Sequence, residues 1–329
     1  MIAVLVTGVA TPIGEQLVRS LMADTRVRHV LAVSHLPRAQ ALTLSPSPRL
    51  TYLQVDLTQT RRVRQLVFGP ARDLGVEVVV HLAQHRSARS AGRKVHKLNV
   101  EALRSILDLT DRHPTIRRVV VRSHAEVYKV DPHLPVLVTE NHPLNLSPRA
   151  AQFVRDRVEA DLTACARMGL SRAEIVVLRC AEALAPGTGS QLFDLLQAPI
   201  ALRPAGFDPM VNVATIADLV SAMERATHGS GEGVFNVPGY DTLPMSEAIR
   251  KWGTPQLPAP GPIIEPLYAL RHRLLGSEFS YGMNRRRMHY GLVLDGSRAN
   301  NELRYAPSHP IDWRVGGSIE ASHTTTTVI

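Results

Sequence analysis

Short apolar runs rich in valine recur along the first 240 residues and alternate with stretches in which apolar side chains follow helical spacing. Runs of this length and composition predict strands that are buried on both faces. Because helical patterns such as 100–109 and 153–168 separate the runs, we expect a parallel sheet and a doubly wound α/β fold. The predicted strands are the run that ends at Thr7 and residues 29–34, 50–57, 76–83, 118–123, 174–179 and 233–237.

The first predicted strand runs directly into a glycine-punctuated turn, Thr7 to Gly14, and then into a helical pattern. A turn of this kind aims backbone N–H groups and the positive end of the helix dipole at one point, where a phosphate commonly binds. Taken alone, it is also compatible with an ordinary strand-to-helix loop. In a doubly wound sheet, this first turn is where a dinucleotide binds.

The pattern becomes less regular after residue 186. Residues 211–226 predict a strand followed by a helix, and the five prolines of 255–266 predict an extended, irregular connector before an amphipathic segment at 267–275. The last residues lack apolar periodicity and predict disorder. We therefore expect three parts: a dinucleotide-binding Rossmann-like domain over 1–180, to which some later segments return; a smaller substrate or partner domain over 181–315; and a disordered tail over 316–329.

The net charge of +9 comes mainly from a preference for arginine, with 34 arginines against four lysines. Two clusters are of interest: residues 86–97, which follow the fourth strand, and the arginines of 271–273 together with those of 285–287. The first cluster lies at the carboxyl end of a strand, where α/β sheets bind ligands, and favours an anionic small molecule. Nucleic-acid binding is not expected, since no known module or aromatic interleaving accompanies the charge.

Cysteine content and the N-terminal segment bear on the compartment. Two cysteines, Cys165 and Cys180, make neither a disulfide framework nor a zinc site of known spacing, which favours a reducing environment. The N-terminal apolar run is interrupted by Gly8 and Pro12 and lacks a basic leader, so it predicts a strand rather than a signal peptide or membrane span. We expect a cytoplasmic protein without a metal, and the sequence is compatible with a homodimer.

Six further features occur in a fixed order along the chain. They are Thr7-Gly8 with Gly14 (TGxxGxxG), His81-Leu82-Ala83 (HLAA), Asn99-Val100, the segment 123–128 (SSxxVYG), Leu178-Arg179 followed by Pro186-Gly187 (LRP…GPG), and the segment 295–307 (DxxRAxxELGxxP). This order resembles the extended short-chain dehydrogenase/reductase family, specifically its NAD-dependent epimerase/dehydratase branch. The likeness runs from residue 2 to about Trp313.

The resemblance implies a Rossmann-like fold that binds NAD or NADP. The segment from Ser34 to Arg38 has no acidic residue for the ribose hydroxyls of NAD, and its arginine favours NADP. Thr11 replaces the middle glycine of the turn and Pro12 removes one N–H donor, so we expect cofactor binding that is weakened or shifted. The cofactor-binding residues implied by the resemblance are Thr7, Gly8, Thr11, Pro12, Ile13, Gly14, Ser34, Arg38, Asp56, Leu57, Leu82, Ala83, Asn99, Ser123 and Arg155.

The chain departs from the family at the catalytic pair. Family members use a Tyr-x-x-x-Lys pair, in which the tyrosine is the acid/base and the lysine lowers the tyrosine pKa and holds the nicotinamide ribose. Aligned on Glu159, this pair corresponds to Ala151 and Arg155. Alanine carries no proton and arginine does not deprotonate. No tyrosine lies between Tyr128 and Tyr240, so a shifted alignment restores none.

Two other positions keep the possibility of chemistry open. His124 stands at the third catalytic position of the family, where it is either a general acid/base over the nicotinamide or a residue that fills space. Glu126 coincides with the glutamate that sugar-nucleotide dehydratases of this family use as a base, but the companion aspartate is replaced by Ala125.

Substrate recognition also departs from the family. Relatives that bind sugar nucleotides hold the diphosphate with an arginine just before a YxHVxD strand, and the corresponding positions here are Asp208 and Thr215. Arg203 or the cluster 86–97 are the available replacements.

Three hypotheses follow from these departures. The first is a binding protein or pseudoenzyme that holds a dinucleotide or a related small molecule. The second is an oxidoreductase or epimerase in which His124, with Glu126 or Arg155, transfers the proton. The third is a peripheral scaffold whose basic segment 267–275 contacts a membrane surface or another protein.

Overall fold

The structure, a computed structural model, describes residues 1–313, apart from the side chains of residues 272 and 275. The predicted tail over 316–329 lies outside the described residues, as do the last two residues of the predicted smaller domain.

Seven of the strands belong to one large sheet and the others to small sheets of two or three strands. The strands are β1 (Ile2–Thr7), β2 (Val27–Ser34), β3 (Leu50–Gln54), β4 (Val78–His81), β5 (Arg118–His124), β6 (Leu137–Val138), β7 (Glu174–Cys180), β8 (Glu182–Ala183), β9 (Ala201–Pro204), β10 (Met210–Ala214), β11 (Gly233–Val237), β12 (Asp241–Pro244), β13 (Gln256–Ala259) and β14 (Val293–Leu294).

Helices alternate with the strands along the chain. They are α1 (Pro12–Ala23), α2 (Arg38–Ala41), α3 (Thr60–Leu66), α4 (Arg93–His96), α5 (Ala102–Thr110), α6 (Gln152–Cys165), α7 (Gln191–Leu196), α8 (Ile216–His228), α9 (Met245–Trp252), α10 (Gly261–Leu275), α11 (Tyr281–Tyr290) and α12 (Ser297–Leu303). Wider helical turns continue α3 over Val67–Ala71 and join α4 to α5 over Lys97–Glu101, and a short turn, Ala125–Val127, follows β5.

The large sheet has the order β11-β7-β5-β4-β1-β2-β3, and every pair in it is parallel. Its valine-rich strands are buried because helices cover both faces, which divides the core into two clusters, one on each side. The chain builds outward from β1 to β3 and then returns to β4 on the other side of β1. This reversal opens a crevice at the carboxyl ends of β1 and β4, where doubly wound sheets bind ligands.

The predicted α/β class is confirmed, and several strand bounds agree closely. The predicted strand 233–237 is β11, and 118–123 and 174–179 each extend by one residue into β5 and β7. The run 50–57 ends earlier, at Gln54, because the chain turns at Asp56, whose carboxylate accepts hydrogen bonds from the Thr58 N–H and hydroxyl. Backbone polar groups satisfied by this turn are no longer available to a strand.

The second half of the chain builds a smaller core beside the carboxyl edge of the large sheet. Its centre contains Leu195, Val213, Trp252, Tyr268 and Phe279. The connector 255–266 differs from the expected irregular path, because its first part forms β13, parallel to β9, and its second part begins α10. Proline is tolerated in a short edge strand and in the first turn of a helix. Strand β11 returns from this half of the chain to the edge of the large sheet.

Among the described residues, no helix is both long and apolar enough to cross a membrane. The same residues contain no cluster of three or more histidine, cysteine or acidic side chains that would hold a metal ion.

Candidate functional site

The turn between β1 and α1 needs glycine at two positions because backbone segments approach closely there. Gly8 has φ +75°, and a β-carbon on it would lie 2.7 Å from the Ala83 nitrogen. A β-carbon on Gly14 would lie 2.5 Å from the Gly8 oxygen. Gly8 therefore lets the turn approach Leu82 and Ala83 at the end of β4, and Gly14 lets the first turn of α1 approach Gly8 and Val9.

Thr11 caps helix α1 rather than projecting from the turn. Its hydroxyl donates to the Gly8 carbonyl at 2.9 Å and accepts from the Gly14 N–H at 3.0 Å. Pro12 has no N–H, and the N–H of Gly14 is bound to Thr11. Among the first three residues of the helix, only Ile13 therefore has a free N–H. The turn retains the shape of an anion site but offers fewer backbone donors than a turn with glycine at position 11.

The residues expected around the adenosine half come together at the ends of β2 and β3. Ser34 is buried and accepts a hydrogen bond from the Leu36 N–H, while Arg38 donates to the Leu44 carbonyl at 3.2 Å. Burial raises the pKa of Asp56, but hydrogen bonds from Thr58 and Gln59 outweigh it and lower the pKa below its ordinary value. Asp56 is therefore ionised at neutral pH, and the adjacent Leu57 is buried.

Thr7 joins β1 to the end of β4. Its hydroxyl contacts His81 Nδ1 at 2.9 Å and accepts from the Leu82 N–H at 3.2 Å. Burial lowers the pKa of His81 to about 4, so this imidazole is neutral at physiological pH.

Asn99 supports the loop that follows β4. Its side chain accepts from the His85 N–H at 2.7 Å and donates to Asp156 on α6 at 3.0 Å. This arrangement fixes the loop that carries the basic cluster 86–97.

Helix α6 turns Phe153, Arg157 and Asp161 toward the sheet, and all three are buried. The Arg157 guanidinium carbon lies 3.7 Å from the centre of the Phe153 ring, and Arg157 Nη1 lies 2.9 Å from Glu126 Oε1. Asp161 pairs with Arg179 at 2.7 Å and accepts from the Ser123 hydroxyl at 2.5 Å. Ser123 thus belongs to the inner face of the site.

Arg155, expected at the cofactor, lies outside the cleft. It is exposed and donates to the carbonyls of Pro148 and Ala150 at 3.1 and 3.0 Å. Glu159, on which that alignment rested, pairs with Arg104 at 3.2 Å near the surface. A shift of two residues turns a side chain by about 200° around a helix. The structure therefore brings Arg157, and not Arg155, into the cleft, and the N-terminal cap Ala151 is exposed as well.

His124 is buried at the end of β5. Gln84 donates its amide to the Arg122 carbonyl at 3.1 Å, which points its side-chain oxygen at His124 Nε2, 2.6 Å away. The proton of His124 therefore resides on Nε2, and Nδ1 faces Glu126 Oε2 at 3.8 Å. Burial, with Arg157 and Arg122 nearby, lowers the pKa of His124 well below its usual value.

Burial raises the pKa of Glu126, but Arg157 and Arg287 outweigh it and hold the pKa below its ordinary value. Glu126 is thus ionised within a buried network that sequence patterns did not indicate. Its further members are Glu182 and Arg287, 2.6 Å apart. Glu182 also accepts from the Ser190 hydroxyl and the Leu192 N–H, each at 2.8 Å. The one sequence signal for this network is the presence of charged residues within segments that are predicted to be buried.

The cleft is narrow where the two halves of the chain meet. Arg86 donates to the Gly187 carbonyl at 2.9 Å, and a β-carbon on Gly187 would lie 3.6 Å from Pro12 Cδ. The loop that follows β8 therefore packs over the N-terminus of α1. A separate pocket, which Arg287 helps to line, lies between α7, β10 and α11, and residues such as Leu192, Met245 and Phe279 make its wall largely apolar.

Three positions considered for substrate binding lie elsewhere. Asp208 is exposed and accepts from the Ser246 N–H and hydroxyl at 2.8 and 2.6 Å. Thr215 caps α8 by accepting from the Asp218 N–H, and Arg203 contacts Gln256 at 2.8 Å. None of the three lines the arginine-rich cleft.

The strand order and the glycine turn at the crevice define a Rossmann-type α/β protein. Residues 4–198 match the model of the NAD-dependent epimerase/dehydratase family. The chain belongs to this family, which confirms the resemblance stated above.

Relatives and solved structures agree with this assignment. An uncharacterized protein of Mycobacterium tuberculosis is 29% identical over 313 residues, which cover 92% of this chain and 80% of the relative. UDP-glucuronic acid 4-epimerase from Bacillus cereus, in complex with UDP-glucuronic acid and NAD, superposes with TM-score 0.71 at 15% identity, covering 97% of this chain and 100% of that one. A dTDP-glucose 4,6-dehydratase from Streptomyces venezuelae with NAD bound gives TM-score 0.70 at 19% identity, covering 97% and 96%. At these identities the structural likeness establishes the fold.

Proposed function

We propose that this protein binds an adenine dinucleotide, or a related nucleotide, in the cleft and does not carry out the tyrosine-dependent redox chemistry of its family. The observation that carries the proposal is the sheet-facing side of α6. There Phe153 and Arg157 have the spacing of the catalytic pair, and Asp161 has that of the acidic residue that follows it.

This pair lacks the groups that the chemistry needs. Phenylalanine has no proton to exchange, and an arginine that is ion-paired to Glu126 does not deprotonate. The nearest phenol in this part of the chain, Tyr128, is buried, and its hydroxyl donates to Asn236 at 2.6 Å. Burial raises the pKa of Tyr128 to about 12, so it does not replace the missing tyrosine.

The alternative of proton transfer through His124 is disfavoured by its contacts. Its Nε2–H is engaged by Gln84, and a pKa far below neutrality makes its imidazole a weak base. Solved structures of the family hold NAD. The absence of an acidic residue between Ser34 and Arg38 instead favours NADP, so both nucleotides belong in the test.

Nucleotide binding is tested by denaturing the purified protein, identifying any released nucleotide by chromatography and mass spectrometry, and measuring thermal shifts with NAD, NADP and their reduced forms. We expect binding without turnover. Failure of every nucleotide to bind would contradict the proposal of a nucleotide site. A substrate-dependent change in the absorbance of reduced nicotinamide would contradict the proposal of inactivity and revive the His124 hypothesis.

A second candidate function, surface docking, is favoured by one observation on α10. Its apolar side chains Ile263, Leu267, Leu270 and Leu274 are exposed and fall on one side of the helix. Arg273 on the same helix is exposed as well, which suits an anionic lipid surface. Cosedimentation with vesicles that contain an anionic lipid tests it. We expect the protein to bind these vesicles and the double variant Leu267→Ser/Leu270→Ser not to bind them. If the wild type does not bind such vesicles, surface docking is contradicted.

A further inference from the structure

We propose that the inner end of the cleft, between His124 and Thr188, binds an anionic group, a phosphate or a carboxylate. The ligand would then be an adenine nucleotide whose far end is negatively charged, rather than one that ends in the cationic ring of oxidised NAD. This inference rests on the proposed nucleotide-binding function and specifies the ligand class of the same cleft.

The lining of this end is cationic. One narrow cavity extends from the N-terminus of α1 to the loop after β8. Its wall carries three guanidinium groups, those of Arg86, Arg122 and Arg157, and no carboxylate among the residues that the structure describes. Because Thr11 and Ile13 also line it, the cavity is continuous with the phosphate-binding turn.

Arg122 is the clearest sign of a missing anionic partner. Its side chain is buried, with 8% of the residue exposed, and its Nε has no hydrogen-bond partner among residues 1–313. Within the same residues, no carboxylate lies within 4.0 Å of its guanidinium nitrogens. Burial lowers the Arg122 pKa and outweighs the Cys180 side chain and the charge of Glu126, which stabilise its cation only in part. A planar anion that accepts hydrogen bonds from the guanidinium would offset this cost of burial.

The neighbouring carboxylates do not neutralise the cluster. Glu126 faces Arg157, and Glu182 faces Arg287, so each carboxylate is already matched by one guanidinium. Arg122 remains as an excess positive charge, and Arg86 at the mouth of the cleft adds another.

The same excess disfavours a nicotinamide cation. His124 places this end where the resemblance puts the nicotinamide, and the oxidised ring carries a positive charge. Like charges in a buried site repel strongly because the surrounding dielectric is low. The residues of the turn fit the pyrophosphate of a dinucleotide, whereas those of the inner end do not fit the ring of oxidised NAD.

The test compares ligands that differ at one end only. Isothermal titration calorimetry of the full chain compares the affinity for NAD with that for nicotinic acid adenine dinucleotide. In the second ligand a carboxylate replaces the carboxamide, so the difference in affinity measures the effect of that negative charge. ADP-ribose, which lacks the ring, reports on the remainder of the site. We expect the carboxylate form to bind at least roughly tenfold more tightly than NAD, as a charge-assisted hydrogen bond allows. Inorganic phosphate and free nicotinate, used as competitors, show which anion the site prefers.

Variants locate the effect at the arginines. Arg122→Gln should remove the preference for the carboxylate form over NAD. Arg155→Gln, on the outer side of α6, is the control and should not change this preference. Glu126→Gln increases the excess of positive charge in the cleft and should enlarge the preference for the carboxylate form over NAD. This variant tests the inference if Arg122→Gln does not fold.

The outcomes separate the two proposals. Equal affinity for NAD and its carboxylate form, or an unchanged preference in Arg122→Gln, overturns this inference and leaves nucleotide binding intact. No binding of any of the three nucleotides overturns the proposed function together with this inference.

Discussion

Arg157 has the spacing of the family's catalytic lysine, but its contacts are structural. Its guanidinium stacks on Phe153 and pairs with Glu126 at 2.9 Å, all within the buried wall of the cleft. Two residues earlier on the same helix, Arg155 lies on the surface and contacts only loop carbonyls. The two arginines have the same chemistry, and their burial decides what each one does.

Replacing Arg157 should therefore destabilise the fold far more than replacing Arg155. Arg157→Ala leaves the Glu126 carboxylate buried without its partner, which typically costs about 3–5 kcal/mol. Arg155→Ala is expected to change the free energy of unfolding by less than about 0.5 kcal/mol. Urea denaturation of both variants measures the difference, and equal losses would contradict the assignment of Arg157 to the buried network.

Asp194 on α7 predicts a pH dependence of stability. Burial, with Glu278 and Glu182 nearby, raises the pKa of Asp194 to about 7. The folded state thus holds a proton that the unfolded chain releases near pH 4. The stability that protonated Asp194 contributes is fully present below pH 4 and is lost as the pH rises through 7.

Asp194→Asn should consequently raise Tm at pH 8 and have progressively less effect toward pH 4. Thermal melts across this range test the prediction, with Asp208→Asn as a surface control. A variant whose Tm exceeds that of the wild type by the same margin at every pH would exclude titration of Asp194 as the cause.

At the scale of elements, helix α1 shows that a residue foreign to the family motif has a structural use. Thr11 closes the first turn of the helix by bonding to Gly8 and Gly14. Side-chain caps of this kind stabilise a helix by about 1 kcal/mol, and glycine replaces them with a loss of only a few tenths. The cap occupies an N–H that would otherwise face a phosphate.

Thr11→Gly should therefore bind nucleotide more tightly with little loss of stability, because it frees the Gly14 N–H. Thr11→Val is the matched variant: it loses the cap but keeps the β-branched bulk, so stability falls and affinity does not rise. Calorimetric titration with ADP-ribose distinguishes the two. If Thr11→Gly binds no more tightly than the wild type, the cap does not limit phosphate binding.

At the scale of the whole molecule, Arg287 connects the two halves of the chain. It projects from α11 to pair with Glu182 at 2.6 Å and approaches Glu126 at 3.9 Å, beside the end of β5. Arg286, its neighbour, is exposed and lies 4.0 Å from Asp131. The buried network thus closes the bottom of the cleft between the large sheet and the smaller core.

Arg287→Gln should lower the free energy of unfolding by several kcal/mol, because it leaves two buried carboxylates with one fewer counter-charge. Arg286→Gln removes only an exposed contact and should cost less than about 1 kcal/mol. Chemical denaturation of the pair checks this. Comparable losses in both variants would mean that the network does not couple the two halves.

The valine runs and the spacing of glycines allowed the sheet and the position of its turn to be predicted, because burial on both faces and close backbone approach restrict residue type locally. Gly8 and Gly14 are examples: a β-carbon on either would meet backbone within 3 Å. The family was predicted from the order of the six motifs along the chain. The face of α6 was not predictable in this way. Its alternation of charged and apolar residues fits either Arg155 or Arg157 as the inner arginine. The tertiary contacts of the helix, such as the pairing of Asp161 with Arg179 on β7, determine which face is buried.

The periodicity of the chain was thus sufficient for the α/β class and for the crevice at the end of β1, since each depends on neighbouring residues. The charge of the cleft depends on tertiary contacts. Arg86, Arg122, Arg157, Glu126 and Glu182 come from separate elements, and whether a guanidinium has a counter-charge depends on which elements meet. Burial strengthens those interactions, so the assembled fold, more than the motif at the first turn, determines which ligand the cleft accepts.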